Sequence, residues 1–337
     1  MIDKNYFQGK SIIIAIPDDF GLPKMFKNNL EFLGFKVLLL EHSKDHNKIA
    51  FKEEVKHIYH KIFKRDRSYK PFAKEQKRRK TEKILQLSQL QKFEKKTDFA
   101  LIIRPDLLND EVILEVKNKT KKLIGYQWDG LERYPEVLVK TKFFDQFFVF
   151  DTKDLALDSN FKLTTNFYFD FDLNTPENPS KDVFFIGSHI ENRMPLLIKI
   201  SQYLAENNFK TDINVIGSSK KYIHRVGETG IRHITEIFDF SKNYEHIKDS
   251  KVILDLLNNV HNGLSFRTFE ALGFQKKLIT DNKEVLNYDF YHKNNIFVVG
   301  KDNLDSLQEF MALPYQVLSK EIYLQYSFSK WINTILE

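Results

Sequence analysis

The sequence predicts an α/β protein built of two Rossmann-like domains facing a central cleft. Three observations lead there. The chain has 337 residues, too many for one ordinary small domain and enough for two of about 150. Apolar, strand-like runs alternate with stretches of helical spacing, and this rhythm is played through twice. Between the two rounds, "TTNFYFDFDLNTPENPSKD" (164–182) gathers Pro, Asn, Asp and Ser into a break.

The first round opens with "KSIIIAIPDDFG" (10–21), a continuous apolar run closing on Pro, Asp and Gly. That is the pattern of a buried parallel strand and its exit loop. "LPKMFKNNLEFLGF" follows at helical spacing and stops at Gly34, and "KVLLLE" (36–41) completes a βαβ unit. Residues 44–97 interrupt as a long, charged, helical insertion. "DFALIIRPD" (98–106) resumes the alternation, then a helix over about 109–121, "KLIGYQWDG" (122–130) and "FDQFFVFD" (145–152). The expected division is a first domain over 1–165, a linker over 166–181, a second domain over 182–320, and a helix over 321–337 packing back on the first domain. In the second domain "DVFFIGS", "TDINVIGSS", "HITEIFDF", "VILDLLN", "KKLITD" and "NIFVVG" supply the strands, with helices between them.

Composition narrows the class. An apolar share of 42% with 29% charged residues is ordinary for a water-soluble globular chain. There is no cysteine, which excludes disulfides, zinc–thiolate sites, iron–sulfur clusters and a cysteine nucleophile, and fits a reducing cytoplasm. No apolar run approaches the roughly 20 residues of a membrane span, and the first residues lead straight into a strand without signal-peptide features. A cytoplasmic protein is expected, touching the inner membrane face at most peripherally.

The formal charge of +6 is unevenly spread. Residues 52–96 hold 16 Lys and Arg against 6 Asp and Glu, and the remainder is slightly acidic. Apolar residues are interleaved there: Ile62, Phe63, Tyr69, Phe72, Ile84 and Leu85. Two readings stand level, a patch that docks on anionic lipid and a solvated helical insertion whose apolar side packs on its domain. Nucleic-acid binding through phosphates ranks below both, because no base-reading module is recognisable.

Ligands of doubly wound sheets bind beyond the carboxyl ends of the strands. In the second domain those loops hold Gly187, Ser188 and His189, then Gly217, Ser218 and Lys220, then the stretch from Asn258 to Gly263 that includes Asn262. Each is small and polar enough to bring backbone N–H groups to a phosphate. "HNGLSFRTFEALGFQKKLITDN" (261–282) reads as loop, short helix, glycine stop and strand. The helix begins near Leu264 or Ser265, so its free N–H groups and positive dipole end offer a diphosphate site. Arg267 adds a full charge and bidentate hydrogen bonds. Glu270, three residues on, shares its face and suits the two hydroxyls of a ribose. Leu264, Thr268, Ala271 and Leu272 pack the other side. Alone, such a pair is as readily a surface salt bridge; the strand before it, the glycine after it and the sheet context favour binding.

"GLSFRTFEALGFQKKLITDNKEVLNYDFY", with "YQWDGLERYP" and "FFDQFFVFDTKDL" upstream, resembles bacterial glycosyltransferases of the GT-B fold. The resemblance is to the group that builds lipopolysaccharide core, O-antigen or capsule, related to the spore-maturation glycosyltransferase-like domain. It covers roughly 98–300. It implies sugar transfer from a nucleotide-activated donor to a glycan or lipid-linked glycan acceptor, with the nucleotide on the second domain and the acceptor on the first.

The loops of the first domain then become catalytic candidates. Asp19 and its neighbour Asp18 follow the first strand, Asp106 follows "LIIRP", and Asp129 follows "IGYQW". A base is needed to take the acceptor hydroxyl proton in an inverting transfer. Asp129 is preferred, because the Trp128 indole is a platform for a sugar ring and raises a neighbouring carboxylate's pKa. A simple Asx turn at Asp129-Gly130 is the competing reading, and Asp18 or Asp19 as helix cap another. On the leaving side, Arg267, Arg193, Lys220 and Lys221 are candidates to balance the diphosphate.

No metal or other cofactor is expected. "FDFD" carries Asp170 and Asp172 in the Asp-x-Asp pattern of metal-dependent transferases, but it falls in the linker. The His42/His46 and His57/His60 pairs lack completing ligands. There is no P-loop, and no G-x-G-x-x-G follows the first strand. The rival classes are a non-catalytic binding module of the same fold and a nucleic-acid-binding protein built on 52–96.

Overall fold

A computed structural model describes residues 6–42, 51–63, 68–217, 230–257 and 263–337. The chain forms two compact units. One comprises Phe7–Asp18 and Gly34–Leu163, and the other Met1–Tyr6, Asp19–Leu33 and Thr164–Glu337. Each holds a six-stranded parallel sheet. Two Rossmann-like α/β units in one chain are what the sequence predicts.

In the first unit the strands are β1 (Ser11–Ala15), β2 (Lys36–Leu39), β3 (Thr97–Ile103), β4 (Thr120–Gln127), β5 (Gln146–Val149) and β6 (Phe161–Leu163). Their order is β2-β1-β3-β4-β5-β6, so the winding direction reverses between β1 and β3. Ile13, Ala15, Ala100, Ile102 and Leu123 fill one face against Val112, Ile113 and Val116 of the helix Asp110–Asn118. The basic segment forms two helices, Phe51–Phe63 and Tyr69–Gln91. The second joins this core through Leu87 and Leu90. Its buried Glu82 accepts from Arg78 at 2.7 Å and faces His42 Nδ1 at 3.4 Å, while His42 Nε2 meets the Ile16 carbonyl at 2.6 Å. Burial opposes a charge on His42, yet Glu82 and the Ile16 carbonyl outweigh it and raise the imidazole pKa. His42 is therefore held by its own unit, and His46 lies outside the described residues. Tyr59, Ile62, Phe72 and Ile84 stay exposed on these helices.

The second unit has β7 (Lys181–Ser188), β8 (Thr211–Ile216), β9 (Ile231–Ile234), β10 (Ser250–Asp255), β11 (Lys277–Thr280) and β12 (Ile296–Val298), in the order β12-β11-β10-β7-β8-β9. The reversal falls between β7 and β10. Met194, Leu197, Ile200 and Leu204 of the helix Met194–Glu206, with Leu307 and Phe310 of the helix Leu307–Ala312, cover one face. The helices Phe240–Lys248 and Phe266–Gly273 pack beside β10. Lys276 and Lys277, adjacent in sequence, reach different helix ends: Lys276 Nζ donates to the Lys248 carbonyl at 3.1 Å, and Lys277 Nζ to the carbonyls of Phe310 and Met311. Both meet the negative end of a helix dipole.

Residues 19–33, placed by sequence in the first domain, pack in this second unit. The helix Leu22–Phe32 inserts Phe26 edge-on against Phe167, Phe169, Phe328 and Trp331, with ring centroids 5.3–6.1 Å apart. Edge-to-face clusters of this kind add to plain burial. The final helix, Phe328–Leu336, thus packs on Leu22–Phe32 within one unit. The stretch expected as a linker is buried at its start, with Phe167, Tyr168 and Phe169 each 1% exposed. Asp170 accepts from Ser329 N at 3.2 Å and from its hydroxyl, at the start of Phe328–Leu336. Asp172 instead pairs with Lys248 at 3.0 Å. The Asp-x-Asp pair therefore has two separate structural partners.

Candidate functional site

At the reversal between β7 and β10 the two exit loops separate, which opens a crevice for ligand in a doubly wound sheet. Arg193 spans the two loops. Its Nη2 donates to the Ser188 carbonyl and its Nη1 to the Leu256 carbonyl at 3.3 Å, while its Nε is buried without a partner among the described residues. Gly187 makes this possible, since a Cβ there would lie 2.6 Å from Arg193 Nη2. Burial lowers the Arg193 pKa, opposed by the charges of Asp255 and Asp281. His189 N–H donates to the Ile216 carbonyl at 2.8 Å, and the Gly217 carbonyl faces His233 Nδ1 at 3.1 Å, so these loops are joined by short polar contacts. Gly217 itself, at φ 78°, turns the chain where a side chain would be strained.

The helix Phe266–Gly273 begins at Ser265, whose hydroxyl accepts from Arg267 N at 3.0 Å and donates to Asp255 at 2.6 Å. Thr268 adds a second hydroxyl to Asp255 at 3.3 Å. Asp255 ends β10, so the cap ties the helix to its own strand. Burial raises the Asp255 pKa, opposed by Ser265, Arg267 and Thr268. Arg267 Nη1 pairs with Glu270, which Asn243 also approaches at 3.5 Å. Glu270 is 1% exposed while the Arg267 side chain is 25% exposed, so the arginine is the outer member of the pair. Burial raises the Glu270 pKa, and Arg267 opposes the rise. The loop entering the helix is pinned through its carbonyls. Asn166 donates to Leu264 at 2.9 Å and Asn282 to Gly263 at 3.3 Å, and Asp281 accepts from Leu257 N at 2.7 Å.

The helix stops differently from the sequence expectation. Gly273 is inside it, pressed on Tyr168, and the left-handed residue is Gln275 at φ 50°. Gln275 N donates to the Leu272 carbonyl and Lys276 N to the Ala271 carbonyl, the paired bonds of a Schellman end. Glycine is used here for close approach rather than for turning.

The structure therefore brings Arg193, Gly187 and Ser188 together at the crevice, and joins Leu264, Ser265, Arg267, Thr268 and Glu270 around Asp255. Ser218, Lys220, Lys221 and Asn262 lie outside the described residues. Asp255, Asn243, Asn166 and Asn282 were not singled out by sequence reading. Asp255 was legible only as the last residue of an apolar strand, and Asn166 sat in the supposed linker.

The three aspartate candidates part company. In the first unit Arg104 holds both Asp106, at 2.9 and 2.7 Å, and Asp129, at 2.7 Å, and stacks 3.9 Å from the Tyr134 ring centre. Arg104 sits at φ 60°, a conformation a branched cation adopts only when its surroundings enforce it. Trp128 is half-buried beside Asp129. Asp19 belongs to the second unit, and its carboxylate is exposed with no bonded partner among the described residues; its backbone carbonyl accepts from Leu22 N at 2.9 Å. The next carbonyl, of Phe20, accepts from Phe240 N at 2.7 Å, which ties this loop to the helix bearing Asn243.

Among the described residues no group of three His, Asp or Glu side chains is arranged to hold a metal, and no helix is long and apolar enough to cross a membrane. No family model matches the sequence, and no curated protein does. Several solved structures resemble it. TarM is 16% identical with a TM-score of 0.48, over 75% of this chain and 58% of its own. HepE of Anabaena, solved with UDP and glucose, is 10% identical with a TM-score of 0.47, over 97% of this chain and 94% of its own. The glycosyltransferase VinC, solved with dTDP, is 10% identical with a TM-score of 0.46, over 97% and 98%. At these identities and scores the likenesses carry no assignment of activity.

Proposed function

We propose that the protein is a glycosyltransferase that moves a sugar from a nucleotide-activated donor to a cell-surface glycan acceptor, of lipopolysaccharide, O-antigen or capsule type. One observation carries this reading. At the strand-order reversal of the second sheet, the N-terminus of Phe266–Gly273, the partly exposed Arg267 and the crevice-spanning Arg193 are gathered around Asp255, which both guanidinium charges reach. Backbone N–H groups and guanidinium charge are what a diphosphate leaving group requires. The arginines supply the positive charge that other transferases take from a metal, so the transfer is proposed as metal-independent. Glu270 orients Arg267 and is the acid proposed to meet the ribose hydroxyls.

In the transfer, the bond from the anomeric carbon to the diphosphate oxygen breaks as the acceptor oxygen bonds to that carbon. The acceptor's proton passes to a carboxylate. Asp19 is proposed for this task over Asp106 and Asp129, because its carboxylate is exposed and, among the described residues, unpaired, while theirs are bound by Arg104. A cytoplasmic location is proposed, with the helices Phe51–Phe63 and Tyr69–Gln91 meeting anionic lipid. Exposed Tyr59, Ile62 and Phe72 lie there beside Lys56, Lys61 and Lys74. Co-sedimentation with phosphatidylglycerol vesicles, absent with phosphatidylcholine, checks that part.

The main test is a thermal-shift panel with UDP, GDP, CMP, ADP and dTDP. A ligand at one hundred times its dissociation constant adds about 2.7 kcal/mol of stability. One selective nucleotide should bind, Arg267→Ala should abolish the shift, and Asp19→Asn should keep it while removing turnover. No shift with any nucleotide ends the donor reading.

A further inference from the structure

The far end of the second sheet holds a different opening. A cavity of about 940 Å³ lies at the amino ends of β7, β10 and β11, remote from the loops that form the donor crevice. Its lining includes Lys276 and Lys277, only 9% and 7% exposed. Among the described residues neither ammonium has a carboxylate within salt-bridge distance. Their hydrogen-bond partners are carbonyls, of Lys248 for the one and of Phe310 and Met311 for the other. Helix-end carbonyls supply a dipole but no whole counter-charge, and a buried cation without one is costly. The acids nearby are already engaged or peripheral. Asp182, in the lining, pairs with Lys251 at 2.9 Å, Asp249 accepts from Ser180 while its charge also reaches Lys276, and Glu177 is an exposed member of the lining. Burial lowers the pKa of both amines, opposed at Lys276 by the charge of Asp249, and takes that of Lys277 to about 8.

Phe209, Phe274, Leu313 and Tyr315 give the lining apolar and aromatic walls, and Lys251, Asp182, Glu177, Asn207 and Gln308 make up its polar part. A cavity with cationic residues on one side and ring-sized apolar walls matches one chemical class. We propose that it is a binding site for an organic anion with an apolar body, whose carboxylate, sulfonate or phosphate supplies the charge that Lys276 and Lys277 lack. The site is separate from donor binding and does not rest on it. The two are nevertheless connected. Gly273, Phe274 and Gln275, which end the helix bearing Arg267 and Glu270, line the cavity. Eight residues of helix span about 12 Å, so an occupant presses on the far end of the helix proposed to face the donor. Tyr323, also in the lining, donates to the Gly273 carbonyl at 2.8 Å and fixes that end.

The probe is 8-anilinonaphthalene-1-sulfonate, an aromatic sulfonate whose fluorescence rises on leaving water. The full chain should bind it at one site, and Lys277→Met should weaken that binding at least tenfold. Because Lys277 also caps a helix, a second variant guards the result. Ala312→Trp fills the cavity from an exposed wall position, so it should abolish binding with the melting temperature unchanged. Binding should persist in Glu270→Gln. The proposal is overturned if the dye does not bind the wild type, if Ala312→Trp binds it as tightly, or if only donor-side substitutions remove it.

Discussion

The carboxyl edges of the two sheets carry similar residues in opposite states. At the first edge, one arginine satisfies two acids: Arg104 bonds Asp106 and Asp129 and is itself stacked on Tyr134. At the second, charges are held largely by neutral groups. Asp255 takes hydroxyl donors, Arg193 gives to carbonyls and among the described residues leaves its Nε unpaired, and Arg267 and Glu270 form an ion pair at the helix start. The first arrangement spends its hydrogen bonds internally and gives rigidity. The second retains capacity for an incoming anion. Identity of side chains therefore distinguishes these places poorly, and partner accounting distinguishes them well.

The largest expected effect follows from that contrast. Arg104→Ala leaves Asp106 buried at 3% exposure without its cation. Removing one partner of a buried pair costs about 3–5 kcal/mol, readable as a shift of the urea midpoint. Arg267→Ala should behave in reverse, with a stability change of about 1 kcal/mol because the already raised Glu270 carboxyl takes up a proton. Its turnover should fall on the order of 100-fold. If Arg104→Ala is thermodynamically silent, the first edge is not the structural clamp argued here.

A pair of glycines gives the next comparison. A Cβ on Gly273 would lie 2.5 Å from Tyr168 Cγ and 2.7 Å from its Cβ, the fixed root of a buried side chain. One on Gly125 would meet the ring edges of Phe147 at 2.5 Å and Phe144 at 2.9 Å, atoms at the far end of side chains that can turn about χ1 and χ2. Gly273→Ala should therefore cost about 3 kcal/mol and Gly125→Ala nearer 1 kcal/mol, the two ends of the usual overpacking range. Thermal unfolding of the two variants checks the order, and equal costs would mean that Tyr168 is free to move.

These glycines also mark what sequence reading could reach. Gly273 was legible as special, but its purpose was mistaken, because nothing local reveals that Tyr168 will lie across it. The two sheets and the helix Phe266–Gly273 were legible because apolar runs and a Ser cap are short-range signals. Arg104 was not, since its bond to Asp129 spans 25 residues and its positive φ has no sequence mark. The polar break at 164–182 concealed Phe167 and Phe169, whose partners on Leu22–Phe32 and Phe328–Leu336 are remote in the chain. Residues 19–33 were assigned by rhythm to the first domain for the same reason.

The smallest effect is a difference of sign in pH dependence. In the first unit, Lys121 is the main cause holding the Asp98 carboxyl down at about 2, helped by Ser11. Its contribution to stability is present above the usual carboxylate pKa and is lost as pH falls through about 2. Asp98→Asn should therefore destabilise at pH 7 by about 1 kcal/mol, a figure reduced for the exposure of Lys121, and make no difference near pH 2. Glu270 is the opposite case, because burial raises its pKa against the pull of Arg267. The favourable, protonated form dominates below the usual carboxylate pKa, and that contribution is lost as pH rises through the raised value. Glu270→Gln should thus be as stable as wild type at pH 4 and gain on it as pH rises through the raised value. Urea titrations of both variants at the two ends of their windows decide it. Matching signs would show that the second edge pairs its charges as completely as the first, and would remove the ground for placing an anion there.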